Sequence, residues 1–147
     1  KIAEDGELCM HGDSIMLGYY KDPEATAEVI DADGWFHTGD LARKDEDGYY
    51  FLTGRKKNLI ILDSGENISP EELEGIVGKC EAVKECVVKE MGKKIGVVVY
   101  CDEDKQQQVR DFITEANRTL PLYKRMSAVE FSTEPLPRNG AGKLLRQ

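Results

Sequence analysis

Gly54-Arg55-Lys56-Lys57-Asn58-Leu59-Ile60-Ile61-Leu62 is where the chain changes character. Three consecutive cations and an amide give way to four apolar residues, two of them β-branched. So polar a stretch does not belong in a core. Residues 55–58 therefore read as a junction, and Leu59 to Leu62 as a buried strand opening a second lobe. The organisation expected is residues 1–54, a hinge at 55–58, and residues 59–147.

Upstream of the junction the pattern is β-rich. Glu7 to His11, Trp35 to His37 and Tyr49 to Thr53 are short extended runs, separated by the turn pairs Asp33-Gly34, Gly39-Asp40 and Asp47-Gly48. One helix interrupts them: Asp22 is a good N-cap, Pro23 suits the first helical position, and the run continues to Val29.

Downstream, strands alternate with helices. Ser69-Pro70-Glu71-Glu72 reads as a capping box with proline at the first position, starting a helix through about Lys79. Val83 to Glu90 and Ile95 to Cys101 are strand-like, with a hairpin turn expected at Gly92-Lys93. Asp104 is a candidate cap for the next helix, with Gln107 three residues on. In that helix Val109, Phe112, Ile113, Ala116 and Leu120 follow the 3.6-residue period of a single buried face. Pro121 ends it, and Ala128 to Ser132 forms a last strand before the loop from Pro135 to Lys143. The order β, α, β, β, α, β predicts an α+β fold, a small sheet with helices packed on it, preceded by a β-rich fragment.

Composition narrows the class. The 147 residues carry 28 acidic and 20 basic side chains, a formal charge of -8, so the surface as a whole repels nucleic acid and anionic membranes. No apolar run approaches the ~20 residues of a membrane span, and Lys1 to Glu7 lacks a signal-peptide profile. Cys9, Cys80, Cys86 and Cys101 form no C-x-x-C pair, and only His11 and His37 could join them on a metal. They read as reduced thiols of a cytoplasmic protein, with no metal site. The chain opens directly on strand-like residues without a starting methionine, which reads as a piece of a longer protein.

Three motifs suggest chemistry. In Arg138-Asn139-Gly140-Ala141-Gly142-Lys143 a phosphate-cradling P-loop would need Gly and Ser or Thr where Pro137 and Leu144 stand, so that reading fails. What survives is a lysine on a glycine-rich segment, a long-armed point charge that a moving element could bring to a developing anion. Asp40, after Gly39, is an acceptor able to take both hydroxyl hydrogens of a vicinal diol such as ribose. Arg55 offers a planar fork to phosphate. Taken singly, each has a plainer counterpart: a solvated lysine, an Asx turn, a solvated basic face.

Their order is more telling. Gly6-Glu7-Leu8, Gly18-Tyr19-Tyr20, Asp33-Gly34-Trp35-Phe36-His37-Thr38-Gly39-Asp40, Asp47-Gly48-Tyr49-Tyr50, Gly54-Arg55-Lys56-Lys57-Asn58, Gly65, Ile68-Ser69-Pro70-Glu71-Glu72-Leu73-Glu74 and Leu136-Pro137…Gly142-Lys143 come in series over nearly the whole chain. In that series the chain resembles the adenylate-forming (AMP-binding) superfamily of acyl-CoA synthetases, amino-acid adenylation domains and luciferases, and is most like an acyl-CoA synthetase.

The resemblance implies a small carboxyl-terminal lid domain, preceded by the β-rich end of a large amino-terminal domain. It implies a ligase that uses ATP and magnesium to convert a carboxylic acid to an acyl-adenylate and then passes the acyl group to CoA. By the match, Asp40 holds the ribose hydroxyls, Arg55 contacts the ribose and phosphate region, and Lys143 reaches the acid and the α-phosphate. Lys57 falls at the hinge position, and the loop around Gly65 approaches the thiol in the second step. Ile61 lies near where some members place a lysine for that step, so no basic residue is assigned to it. The segment from Arg138 to Ala141 departs from the commoner Lys-Thr pattern, which leaves the neighbours of Lys143 without roles.

The family's phosphate loop, its magnesium-holding motif and the acid pocket are not in this sequence, so the chain alone is expected to be inactive. The strand edges left at residues 1 to 53 are expected to promote self-association. A long-chain or medium-chain fatty acid is the expected substrate. Two alternatives stand beside this reading: an adenylation domain loading an amino or aryl acid onto a carrier protein, and a non-catalytic interaction module. With Lys143 four residues from the end of this sequence, no carrier domain is expected in cis, which slightly favours CoA.

Overall fold

Short apolar-polar runs upstream of the junction pair into a three-stranded antiparallel sheet. In the computed structural model, which describes residues 1–146, its strands are β1 (Glu7–Met10), β2 (Phe36–Lys44) and β3 (Tyr50–Arg55), in the order β1-β2-β3. This sheet lies in the first of two compact units, Lys1–Lys57; the second begins at Asn58. The helix α1 (Pro23–Val29) starts as expected, with Asp22 Oδ1 accepting the Ala25 N–H at 3.0 Å and Pro23 at the first turn.

One strand end differs from the sequence reading in a way that bears on the site. β2 does not end at His37 but runs through Gly39 and Asp40 to Lys44. Gly39 takes φ +71, and the register with β1 shifts between Glu7, opposite Leu41, and Cys9, opposite His37. The Gly-Asp pair is thus a bulge inside a strand rather than a turn between strands, since a left-handed glycine absorbs the extra residues without ending the ladder. The true turn into β3 is held by Asp45, whose Oδ1 accepts the Tyr49 N–H at 2.8 Å.

β3 carries exposed apolar side chains, Tyr50, Phe51 and Leu52. Cations from β2 cover two of them: Arg43 lies directly opposite Phe51 and its guanidinium sits 4.4 Å from that ring, while Lys44 faces Tyr50 at 5.5 Å.

From Asn58 the expected alternation appears. A two-residue hairpin, β4 (Ile60–Ile61) with β5 (Asn67–Ile68), leads into α2 (Pro70–Val77). β6 (Glu85–Met91) and β7 (Lys94–Tyr100) are antiparallel, turning at Gly92 and Lys93, both at positive φ as a tight hairpin requires. α3 (Gln106–Thr119) then crosses over to β8 (Met126–Ser132), parallel to β7, so that the sheet order is β6-β7-β8. Leu73 and Val77 of α2 and Val109 and Ile113 of α3 pack with Val88, Val97 and Val99 of the sheet, all seven at 2% exposure or less. Burial of each such side chain stabilises by about 1.5–3 kcal/mol.

Three local expectations change. Leu59 to Leu62 is not a uniformly buried strand: Ile60 is buried and Ile61 is 68% exposed, because a hairpin this short covers only one face. Asp104 does not cap α3; it sits inside a preceding 3₁₀ turn, Glu103–Lys105, and α3 starts after it. Ser69 precedes α2 as expected, but its Oγ donates to the Glu71 carboxylate at 3.1 Å instead of capping the helix backbone. A contact that sequence reading missed joins α3 to β8: Asn117 donates to the Met126 carbonyl at 2.8 Å and accepts the Met126 N–H at 2.9 Å. The fold class itself, α+β with a small helix-covered sheet, is as expected. Among the described residues no helix is long and apolar enough to cross a membrane.

Candidate functional site

Asp40 leaves the β2 bulge directly opposite Arg55, the last residue of β3, and the two join in an ion pair with Nε 2.8 Å from Oδ1. Sequence reading gave both residues a part in one ligand; the register of two strands brings them side by side. Gly39, Arg55, Lys56 and Lys57 line a concavity of about 310 Å³, so three cations surround one hollow beside a carboxylate. Such a hollow suits a ligand carrying both phosphate and hydroxyl groups.

The bulge is built on a residue to which the motifs alone gave no role. The Glu7 side chain is 5% exposed. Its Oε1 accepts the Gly39 N–H at 2.8 Å, while Oε2 meets Lys56 Nζ at 2.9 Å and His37 Nδ1 at 3.1 Å. Thr38 completes the brace, its Oγ1 donating to the Leu8 carbonyl at 2.7 Å and accepting the Asp40 N–H at 3.1 Å. Burial pushes the Glu7 carboxyl upward, but Lys56, His37 and the Gly39 N–H together outweigh it and hold the group below the usual carboxylate range. Lys56 also pairs with Asp5 at 2.6 Å, and the two carboxylates raise its ammonium above the ordinary lysine value. The Glu7 contact, and then Asp31 on the other ring nitrogen at 3.4 Å, raise His37.

Glu7, Cys9 and His37 also bring three possible metal ligands within 4.8 Å of one another, a juxtaposition invisible in the cysteine spacing. The cation this carboxylate meets is the Lys56 ammonium, and burial raises the Cys9 thiol above its ordinary value.

In the second unit, Lys143 is exposed at the end of a tight turn. Asn139 organises the turn: its Oδ1 accepts the N–H groups of Ala141 and Lys143, both at 3.0 Å, and Gly142 turns at φ +78. Arg138 and Leu144 bridge below it. One side is fixed by Glu85, which accepts Arg138 at 2.5 Å and the Leu136 N–H at 2.7 Å; these two contacts hold its carboxyl below the usual range. On the other side Arg146 grips Glu74 at 2.6 Å and Glu71 at 3.2 Å. Arg138 and Asn139, which the motif left without roles, are thus the framework of the lysine's turn; the Asn-Gly-Ala-Gly spacing was a turn signal that could have disclosed it. Gly65 sits at φ +93 in the tight β4–β5 turn, where its N–H donates to the Leu62 carbonyl at 2.8 Å. Lys57 is the last residue of the first unit, within the 3₁₀ turn Lys56–Asn58.

No family model matches the chain. It is 41% identical over 148 residues to the long-chain-fatty-acid–CoA ligase of Salmonella typhimurium, an alignment covering 98% of this chain and 26% of that relative. A probable 4-coumarate–CoA ligase 2 of Dictyostelium discoideum is 36% identical over 151 residues, covering 99% of this chain and 27% of the relative. The chain therefore spans about a quarter of the length of these curated relatives. Among solved structures it superposes on the A domain of carboxylic acid reductase from Segniliparus rugosus, in complex with AMP and a co-purified carboxylic acid. The TM-score there is 0.78 at 29% identity, covering 96% of this chain and 25% of that one. Related along nearly its whole length to CoA ligases in sequence and to an adenylate-binding domain in fold, the chain belongs to the adenylate-forming superfamily.

Proposed function

We propose that this chain is the carboxyl-terminal part of an AMP-forming acyl-CoA synthetase of the cytoplasm, with a fatty acid as the carboxylic substrate. The parent would convert acid and ATP to acyl-adenylate and pyrophosphate, then acyl-adenylate and CoA to acyl-CoA and AMP. The observation that carries the reading is the Asp40–Arg55 pair beside a hollow lined by two further cations.

In the first step a carboxylate oxygen of the acid attacks the α-phosphorus and the bond to the pyrophosphate oxygen breaks. Asp40 takes the ribose hydroxyls: Oδ2 is available, and Oδ1 keeps a lone pair beyond its contact with Arg55. Arg55 turns its remaining N–H groups to the ribose and phosphate region. Lys143, exposed and without a carboxylate partner among the described residues, supplies positive charge to the acid and the α-phosphate as negative charge accumulates there. In the second step the thiol sulfur attacks the acyl carbonyl, AMP leaves and the thiol proton passes to solvent. Lys57 is the hinge at which the segment from Asn58 swings between steps, and the Gly65 turn comes to the thiol.

ATP brings magnesium, which neutralises phosphate charge. The carboxylates here fit the nucleotide and not that ion, since Glu7 is taken by Lys56 and the Gly39 N–H, and Asp40 by Arg55. Magnesium ligands, the phosphate loop and the acid pocket belong to the rest of the parent, so this chain by itself is inactive.

The test is pyrophosphate release by the full-length parent with fatty, aryl and amino acids, with and without CoA. Release that depends on a fatty acid, with AMP turnover that depends on CoA, supports the reading. Release with an acid but no response to CoA points to a carrier-protein thiol. No release with any acid overturns the proposal.

A further inference from the structure

We infer that Glu7 is a positioning residue for the nucleotide, acting through the bulge that presents Asp40; the inference rests on the nucleotide reading above. A carboxylate at 5% exposure is costly unless its oxygens are fully engaged. Here each oxygen has a distinct task. Oε1 accepts the N–H of Gly39, the residue whose left-handed backbone makes the bulge, and Oε2 faces the Lys56 ammonium and the His37 ring. One side chain on β1 therefore links the residue before Asp40 to the residue after Arg55. Because Asp40 and Arg55 are themselves paired across β2 and β3, both ends of that pair are set by the same buried group. Lys56, one of the cations lining the hollow, is itself held in place by Asp5 and Glu7.

The isosteric amide separates position from mere burial. In Glu7→Gln no orientation satisfies both sides: with the carbonyl on the Gly39 N–H, the amide N–H₂ faces Lys56 and His37, and the flipped form sets N–H₂ against the Gly39 N–H. Either the Gly39 N–H or the Lys56 ammonium then loses its acceptor, so the link between the two ends of the Asp40–Arg55 pair is broken and Asp40 loses its aim, while Asp40 itself is still present. A second variant, Gly39→Ala, leaves Glu7 intact and stresses the bulge alone. A Cβ there meets open space, so only the φ of +71 resists it.

The readout is discrimination between ATP and 2′-deoxy-ATP or 3′-deoxy-ATP, as the ratio of kcat/KM in acid-dependent pyrophosphate release by the full-length parent. A carboxylate accepting a ribose hydroxyl gives a preference of roughly tenfold or more for ATP. Glu7→Gln and Gly39→Ala should each lower it by about tenfold, toward parity, with KM for the acid unchanged. A residue important only for folding would depress all three nucleotides alike. Wild-type discrimination retained in folded Glu7→Gln, or in Gly39→Ala should the first variant fail to accumulate, overturns the inference while leaving the ligase reading intact. A wild-type parent that uses ATP and both deoxynucleotides equally also overturns it. A parent with no acid-dependent release at all removes the reading on which it rests.

Discussion

Arg138 spans Glu85 and Gly142: one terminal nitrogen lies 2.5 Å from Glu85 Oε1 and the other donates to the Gly142 carbonyl at 2.7 Å, immediately before Lys143. The lysine's turn is thereby tied to the first residue of β6. Loss of the tie lets the lysine's base wander, and a misplacement of about 1 Å costs up to ~10²-fold in rate. Glu85→Gln in the full-length parent should lower acid-dependent pyrophosphate release by roughly tenfold or more. Conversion of supplied acyl-adenylate to thioester should be unaffected. Equal loss in both assays would sink this account.

Lys143→Ala removes the charge and leaves the turn, since Asn139 holds it through backbone N–H groups. Adenylate formation by the parent should fall roughly 10²–10³-fold, as when a single charge-stabilising donor is lost. Thioester formation from supplied acyl-adenylate should persist, and unimpaired pyrophosphate release would refute the role given to Lys143.

His37, raised by Glu7 and then Asp31, makes the stability of the first unit depend on pH. A base whose folded-state pKa lies above its unfolded value of about 6.5 contributes fully below that value, and the contribution is lost as pH rises through the folded pKa. Glu7 and Asp31 are both shifted downward, so they stay ionised across this window. The urea midpoint reported by Trp35, the one tryptophan in the chain, should therefore exceed that of His37→Gln most at about pH 6. The difference should shrink as pH rises above neutrality; curves that stay parallel would show that the ring's charge is not involved.

Asn117→Ala leaves the N–H and carbonyl of Met126 without their side-chain partner, and Met126 is 2% exposed. The cost should be roughly 1–3 kcal/mol, read from urea unfolding followed by far-ultraviolet circular dichroism. A loss under a few tenths of a kcal/mol would mean that water replaces the amide without penalty.

β3 is an edge strand with Leu52 at 66% exposure and Phe51 at 42%. Produced alone, this chain should self-associate through that edge, and Leu52→Lys should shift it toward monomer in sedimentation velocity over a concentration series. A wild-type chain that is monomeric at every concentration would end the idea.

Much of this protein is legible from the sequence, because the signals concerned are local. Asp22 and Pro23 start α1 by their own chemistry, Gly92-Lys93 closes a hairpin, and the 3.6-residue spacing of Val109, Phe112 and Ile113 lays one face of α3 on the sheet. The motif series likewise identifies the superfamily, since order along a chain is a property of sequence. Local signals misled where tertiary context outweighed them. Gly39-Asp40 has turn composition yet lies within β2, because pairing on both sides makes continuing the ladder better than ending it.

What only the tertiary structure decided is which charges meet. Glu7, His37, Gly39 and Lys56 are spread over 50 residues of sequence, and nothing in their spacing says that one buried carboxylate will hold the other three. Asp40 reaches Arg55, and Glu85 reaches Arg138, through strand register and loop packing. Hydrogen bonds and ion pairs act over only a few ångströms, so their partners are fixed once the chain has folded.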